Sequence, residues 1–201
     1  MMKIIMIFFL VLGFSSEAFS DQYNFENTSE GMIEKLTNKN KFKFRTRSLK
    51  KEPFSSKTRK TRGLTTLRQD KGKLIKEEIR VPEKRESGFV NLKIIFDYNS
   101  YQLRTESIQV LEELGKALND EKLKNKLFFI NGHTDSDGTE DYNLNLSLHR
   151  ASAVRNYLSQ NLNISQSRLK LMGYGEGMPL VANSTPENKQ LNRRVEIVVS
   201  E

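Results

Sequence analysis

Residues 131–154 read "NGHTDSDGTEDYNLNLSLHRASAV", and the parsing of this stretch decides the fold on either side of it. It begins inside "KLFFINGH", a continuous apolar run of strand length, short enough to be central in a sheet. His133 to Asp141 is polar, contains Gly138 and carries four carboxylates, Asp135, Asp137, Glu140 and Asp141. Further on, in "NLNLSLHRASAVRNYLSQNL", Leu146, Ala151, Val154 and Leu158 return at helical spacing. Strand, loop and helix therefore follow one another, with the charges concentrated in the loop.

The same alternation continues outward. Upstream, "GFVNLKIIFDYNS" is an apolar β-rich run closed by a turn signal. "TESIQVLEELGKALND" follows it, with Ile108, Leu111, Leu114 and Leu118 on one helical face, Thr105 as the N-cap and Asn119 as the stop. Downstream, "RLKLMGYG" reads as a third strand and "RRVEIVVS" as a fourth, separated by a long loop, "EGMPLVANSTPENKQLN", marked by Pro179 and Pro186. The expectation is one α/β domain over residues 88–201, in the order β-α-β-α-β-β, with helices packed on a mixed four-stranded sheet. Its two βαβ crossovers favour parallel, right-handed connections. The direction of the last strand is left open.

The charge is split along the chain. Residues 1–87 hold 20 Lys/Arg against 11 Asp/Glu, whereas residues 88–201 hold 13 against 14, so the overall +8 belongs to the N-terminal part. Within it, Lys41 to Arg85 carries 17 Lys/Arg and 5 Asp/Glu with few large apolar side chains. That composition is expected to leave residues 21–87 a basic arm with little structure, because it cannot bury enough apolar surface to offset its ordering entropy. "KLIKEEIRV" is a short helix or strand candidate without support on either side. The arm suits a soluble tether, or an anionic membrane surface or acidic envelope partner, with Phe42, Phe44 and Phe54 interleaved to insert or stack. Residues 1–20 have the three-part build of a cleavable secretory signal: Lys3, an apolar run from Ile4 to Phe14, and Ala18 and Ser20 before the cut. Export to the periplasm follows from it, and with export no nucleic-acid partner is expected.

The chemistry of the loop narrows by elimination. If Gly138 is aligned with the sixth position of a calcium loop, the first position falls on His133 and the twelfth on Leu144, both wrong ligand types. His133 and Asp135 lack an evident third zinc ligand, and His149 stands apart on the helix. No cysteine occurs, so disulfides, thiolate metal sites, thiol nucleophiles and a lipid-bearing cysteine are absent from the sequence. Four carboxylates in a polar loop imply no apolar pocket that would raise a pKa, and neither a GxSxG elbow nor a phosphate-binding glycine loop is present. No catalytic residue, metal or cofactor is assigned. What remains is a cradle: Asp135 lies past the end of a strand and Arg150 about two turns into the next helix. That places a carboxylate and a guanidinium where they form a simple ion pair or complement a zwitterionic amino-acid end.

"GHTDSDGTEDYNLNLSLHRASAVRNYL" resembles the signature of the OmpA C-terminal, peptidoglycan-binding domain family, TD-x-x-G followed by N-x-x-L-S-x-x-R-A-x-x-V. It matches at Thr134, Asp135, Gly138, Asn143, Leu146, Ser147, Arg150, Ala151 and Val154. The resemblance extends from about Phe89 to Ser200. It implies non-covalent binding of the peptidoglycan stem at the free end of meso-diaminopimelate. Asp135 would accept from the ammonium and Arg150 would grip the carboxylate, with Thr134, Asn99 and Asn143 on the same wall and Arg194 in support. Asp137 departs from the family pattern and adds negative charge near the ammonium position. The resemblance implies tethering of this protein, or of an envelope partner, to the wall. The alternative is a component of an envelope secretion or motor complex whose basic arm binds a protein or an anionic membrane.

Overall fold

The computed structural model describes residues 23, 25–38, 64–70, 73–79, 88–96 and 100–200. The expected leader, residues 1–20, lies outside these, as does Asn99. The elements are helix α1 (Ser29–Thr37), strands β1 (Leu64–Asp70), β2 (Lys73–Ile79) and β3 (Phe89–Leu92), helix α2 (Ile108–Asn119), strand β4 (Leu127–Gly132), helix α3 (Glu140–Asn161), strand β5 (Leu169–Gly173), helix α4 (Pro186–Asn192) and strand β6 (Val195–Ser200).

One mixed sheet runs β2-β1-β5-β4-β6-β3. The four expected strands are its last four. Strand β4 pairs parallel with β5, as the crossover through α3 requires, and β6 enters antiparallel between β4 and β3. Alternation along the strands sorts the side chains. Val90, Leu92, Phe128, Ile130, Leu169, Leu171, Val195 and Ile197 join Leu111, Leu114 and Leu118 of α2 and Leu144, Ala151, Val154 and Leu158 of α3 in one buried core.

Two expectations need correction. Residues 186–192 were expected in a loop but form α4, with Thr185 accepting from Asn188 N–H and Pro186 opening the helix. The arm also contributes structure. Residues 64–70 and 73–79 form two paired strands, the first of which pairs onto β5 at Leu67↔Gly173 and Arg68↔Met172, so the sheet has six strands among the described residues rather than four. "KLIKEEI" finds its support in β1, across a two-residue connection in which Asp70 pairs with Lys73. Arg155 Nη2 of α3 donates to Gln69 Oε1 at 3.3 Å and Lys76 bridges to Asp141 of the same helix at 2.6 Å, so α3 contacts both strands.

Helix α1 docks the opposite edge. Thr28 caps it, Met32 and Leu36 are buried in the core, Phe25 bridges to Asn91 of β3, and Glu26 N–H donates to the Asn91 carbonyl. Glu113 of α2 accepts from the Ser29 backbone N–H at 3.1 Å and from Lys116. The Lys116 and Ser29 hydrogen bonds hold the Glu113 carboxyl down at about 2. A depressed carboxylate contributes stability that is complete above its unfolded pKa and is lost as pH falls through the folded value. The difference in melting temperature between the wild type and Glu113→Gln is therefore expected to be constant above about pH 4.5 and to vanish towards pH 2. A difference that vanished near pH 4 in an acid series would contradict this coupling.

Candidate functional site

The loop after β4 is set by where the strand must stop. Gly132 and Gly173 are register partners, and α3 crosses them so closely that a Cβ on Gly132 would lie 2.0 Å from the Ser147 carbonyl oxygen. Ser147 is fully buried there and its Oγ accepts from Gly175 N–H at 3.0 Å. Beyond Gly132 the chain keeps β-like bonding: His133 N–H donates to the Arg194 carbonyl and Thr134 N–H to that of Gly175. It then turns at Asp135–Gly138, where Asp135 Oδ1 accepts from Asp137 N–H at 3.1 Å and Gly138 has φ +105°. Thr139 caps α3 by accepting from Tyr142 N–H.

These constraints open a cavity of about 510 Å³ between the turn, the start of α3, the chain after β3 and α4. Thr134, Asp135, Asp137, Asn143 and Arg150 all line it, so the cradle expected from the sequence does converge. The pairing inside it differs from the simple ion pair considered above. Asp135 Oδ2 accepts from Arg193 Nη1 at 2.5 Å, and Asp137 accepts from Lys189 Nζ at 2.6 Å. Arg150 is only 7% exposed and has no carboxylate partner among the described residues. Its Nε donates to the Ser100 carbonyl at 3.3 Å and its guanidinium stands 4.9 Å from the Phe96 ring centre. Burial, then the neighbouring Arg193, pushes its pKa down, while Asp135 and Tyr142 oppose that shift.

The other expected residues fall as follows. Thr134 is buried and its Oγ1 has no hydrogen-bond partner. Asn143 Nδ2 is committed to Glu176 Oε2 at 2.7 Å and to the Asp135 carbonyl at 3.3 Å, so it positions the turn. Arg194 points to the other face of the sheet, donating to Asn91 Oδ1 and the Met178 carbonyl. It buttresses β3 and the following loop rather than lining the cavity. His133 is buried, stacked 5.3 Å from Tyr174 with Nε2 3.8 Å from Glu196 Oε2, which makes it part of the packing. No cluster of three or more metal-ligating side chains occurs among the described residues.

Sequence reasoning missed Arg193 and Lys189. Lys189 stands on α4 and Arg193 is the residue that ends it, and they pair with Asp137 and Asp135. Asn192 fixes that helix from beneath, with Oδ1 accepting from Leu180 and Val181 N–H and Nδ2 donating to the Val181 carbonyl and Asn183. The signal was Thr-Pro-Glu at 185–187, a helix start read as a loop.

Residues 95–193 match the model of the OmpA family. Outer membrane porin F of Pseudomonas aeruginosa is 34% identical over 110 residues, 55% of this chain and 31% of that protein. A peptidoglycan-associated lipoprotein of Pseudomonas putida is 34% identical over 102 residues, 51% of this chain and 59% of that one. The crystal structure of the peptidoglycan-associated lipoprotein from Burkholderia pseudomallei aligns over 53% of this chain and 88% of that chain, at 28% identity and a TM-score of 0.48. The chain thus spans about a third and about three fifths of the length of the two curated relatives.

Proposed function

Since residues 95–193 match the model of the OmpA family, we propose that the chain holds cell-wall peptidoglycan without cleaving it, at the free end of meso-diaminopimelate in the stem peptide. Tethering of the protein, or of an envelope partner, to the wall follows. The observation that carries this reading is Arg150, a buried guanidinium that opens into a 510 Å³ cavity and has no carboxylate of its own among the described residues. An unpaired buried cation is costly, and a ligand carboxylate would complete it bidentately. Asp135 keeps lone pairs beyond those used by Arg193 and Asp137 N–H, and these suit a ligand ammonium. Thr134 Oγ1 offers a further buried hydrogen-bonding group on the same wall. Asn99, outside the described residues, is assigned to that wall from the family signature. The relatives' names place them at the outer membrane or on peptidoglycan. For this chain the same reading puts the domain in the periplasm, with the basic residues of 21–87 directed at an anionic surface or an envelope protein.

The test is co-sedimentation of the full chain with purified sacculi. Wild type is expected in the pellet and to be released by soluble meso-diaminopimelate. Asp135→Asn, which keeps the shape and removes the charge, is expected to lower retention at least about tenfold. Retention that survives Asp135→Asn and resists the soluble ligand would refute the assignment, and released muropeptides would refute its non-catalytic part.

A further inference from the structure

The charges around the cavity do not cancel. Asp135 is answered by Arg193 and Asp137 by Lys189. Two lining cations remain, Arg150 and Lys93, and neither has a carboxylate partner among the described residues. They stand in different surroundings. Arg150 is buried over Phe96. Lys93, one residue past β3, also lines the cavity and is exposed. The same lining includes the apolar side chains of Ile94, Phe96 and Leu146. A ligand with one zwitterionic end satisfies Arg150 and leaves Lys93 unanswered. A ligand with a second carboxylate, joined to the first by a short apolar chain, answers both.

We infer that the cavity reads two carboxylates, with Arg150 taking the buried one and Lys93 an exposed one, so that the domain selects stem peptides with free carboxylates over amidated ones. The inference rests on the peptidoglycan reading above. The second carboxylate has two sources of the same chemistry: the proximal carboxylate of the diamino acid, or that of the neighbouring acidic residue of the stem. Because Lys93 is exposed, its contribution is that of a surface ion pair, about fivefold at most, and salt screens it. Arg150 sets whether binding occurs, and Lys93 sets which peptide is preferred.

The experiment is calorimetric titration of the full chain at low salt with three soluble stem tripeptides: one with free carboxylates, one amidated at the proximal carboxylate of the diamino acid, and one amidated at the neighbouring acidic residue. One of the two amidations is expected to weaken binding about fivefold, which identifies the source. In Lys93→Gln the ratio is expected to fall to about one. Lys122→Gln, an exposed lysine before β4 at the other end of that strand, is expected to keep it. Equal affinity for all three peptides, or a preference that persists in Lys93→Gln, would overturn the inference while leaving the peptidoglycan reading intact. If none of the three binds the wild type, it is that reading which fails.

Discussion

Replacing Arg150 with methionine is expected to abolish retention on peptidoglycan while leaving the protein folded. Methionine keeps an unbranched apolar stem but is shorter, and it loses the guanidinium that stands over the Phe96 ring. Removing one partner of a desolvated charge pair costs about 2–5 kcal/mol, or roughly thirtyfold to several thousandfold in affinity. The effect on stability should be small for a separate reason. In the ligand-free protein this guanidinium is buried, lies near Arg193 and has no carboxylate partner among the described residues. Losing it gives up one long hydrogen bond, to the Ser100 carbonyl at 3.3 Å, and the contact over Phe96, but relieves a buried charge, so the net change should stay within about 1 kcal/mol. Retention on sacculi and a urea titration separate the two effects. If Arg150→Met bound normally, or lost binding only because it unfolded, Arg150 would be a structural residue and the cavity would need another ligand.

Gly132→Ala is expected to be the most destabilising single methyl group in the domain. Its Cβ would meet the carbonyl oxygen of Ser147 at 2.0 Å and the carbonyl carbon at 2.7 Å. Both belong to the backbone of α3, so no side chain can swing aside and the helix must lift off the sheet. Overpacking of this kind costs about 3 kcal/mol or more, and it would also displace Thr134 and Asp135, two and three residues further on. Gly115→Ala is the comparison. There the added Cβ meets Leu162 Cδ1 at 2.6 Å, the far end of a movable side chain, and about 1 kcal/mol of helix propensity is gained. Its net effect should lie within about 1 kcal/mol. Equal urea midpoints for the two variants would show that the α3–β4 approach is looser than the geometry implies.

How much was legible in the sequence follows from how local each signal was. Apolar periodicity marked β3, α2, β4, α3, β5 and β6, because each buries one face and that face is written in consecutive residues. Asp135 and Arg150 were found because strand, turn and helix carry both to one cavity over a short stretch of chain. Arg193 and Lys189 were missed because their importance depends on Asn192 folding the 180–192 segment back onto the turn, a tertiary fact. The β1–β2 pair was missed because charge dominates its composition. Its strands are stabilised by pairing to β5 and by Arg155 and Asp141 of α3, partners 60 or more residues away in sequence. Composition reports average burial, and an edge strand pair needs little of it.

The position of β6 has a consequence for how the molecule comes together. Strands β3 and β4 are not neighbours, and the final strand fills the space between them, so that Phe89 pairs with Val198 about a hundred residues later. A chain that emerges N-terminus first must therefore carry two unpaired strand edges until β6 is free. Closure of the sheet waits for β6, and with it the cavity, since Arg193 comes just before that strand. Such a fold is slow in the sense of contact order.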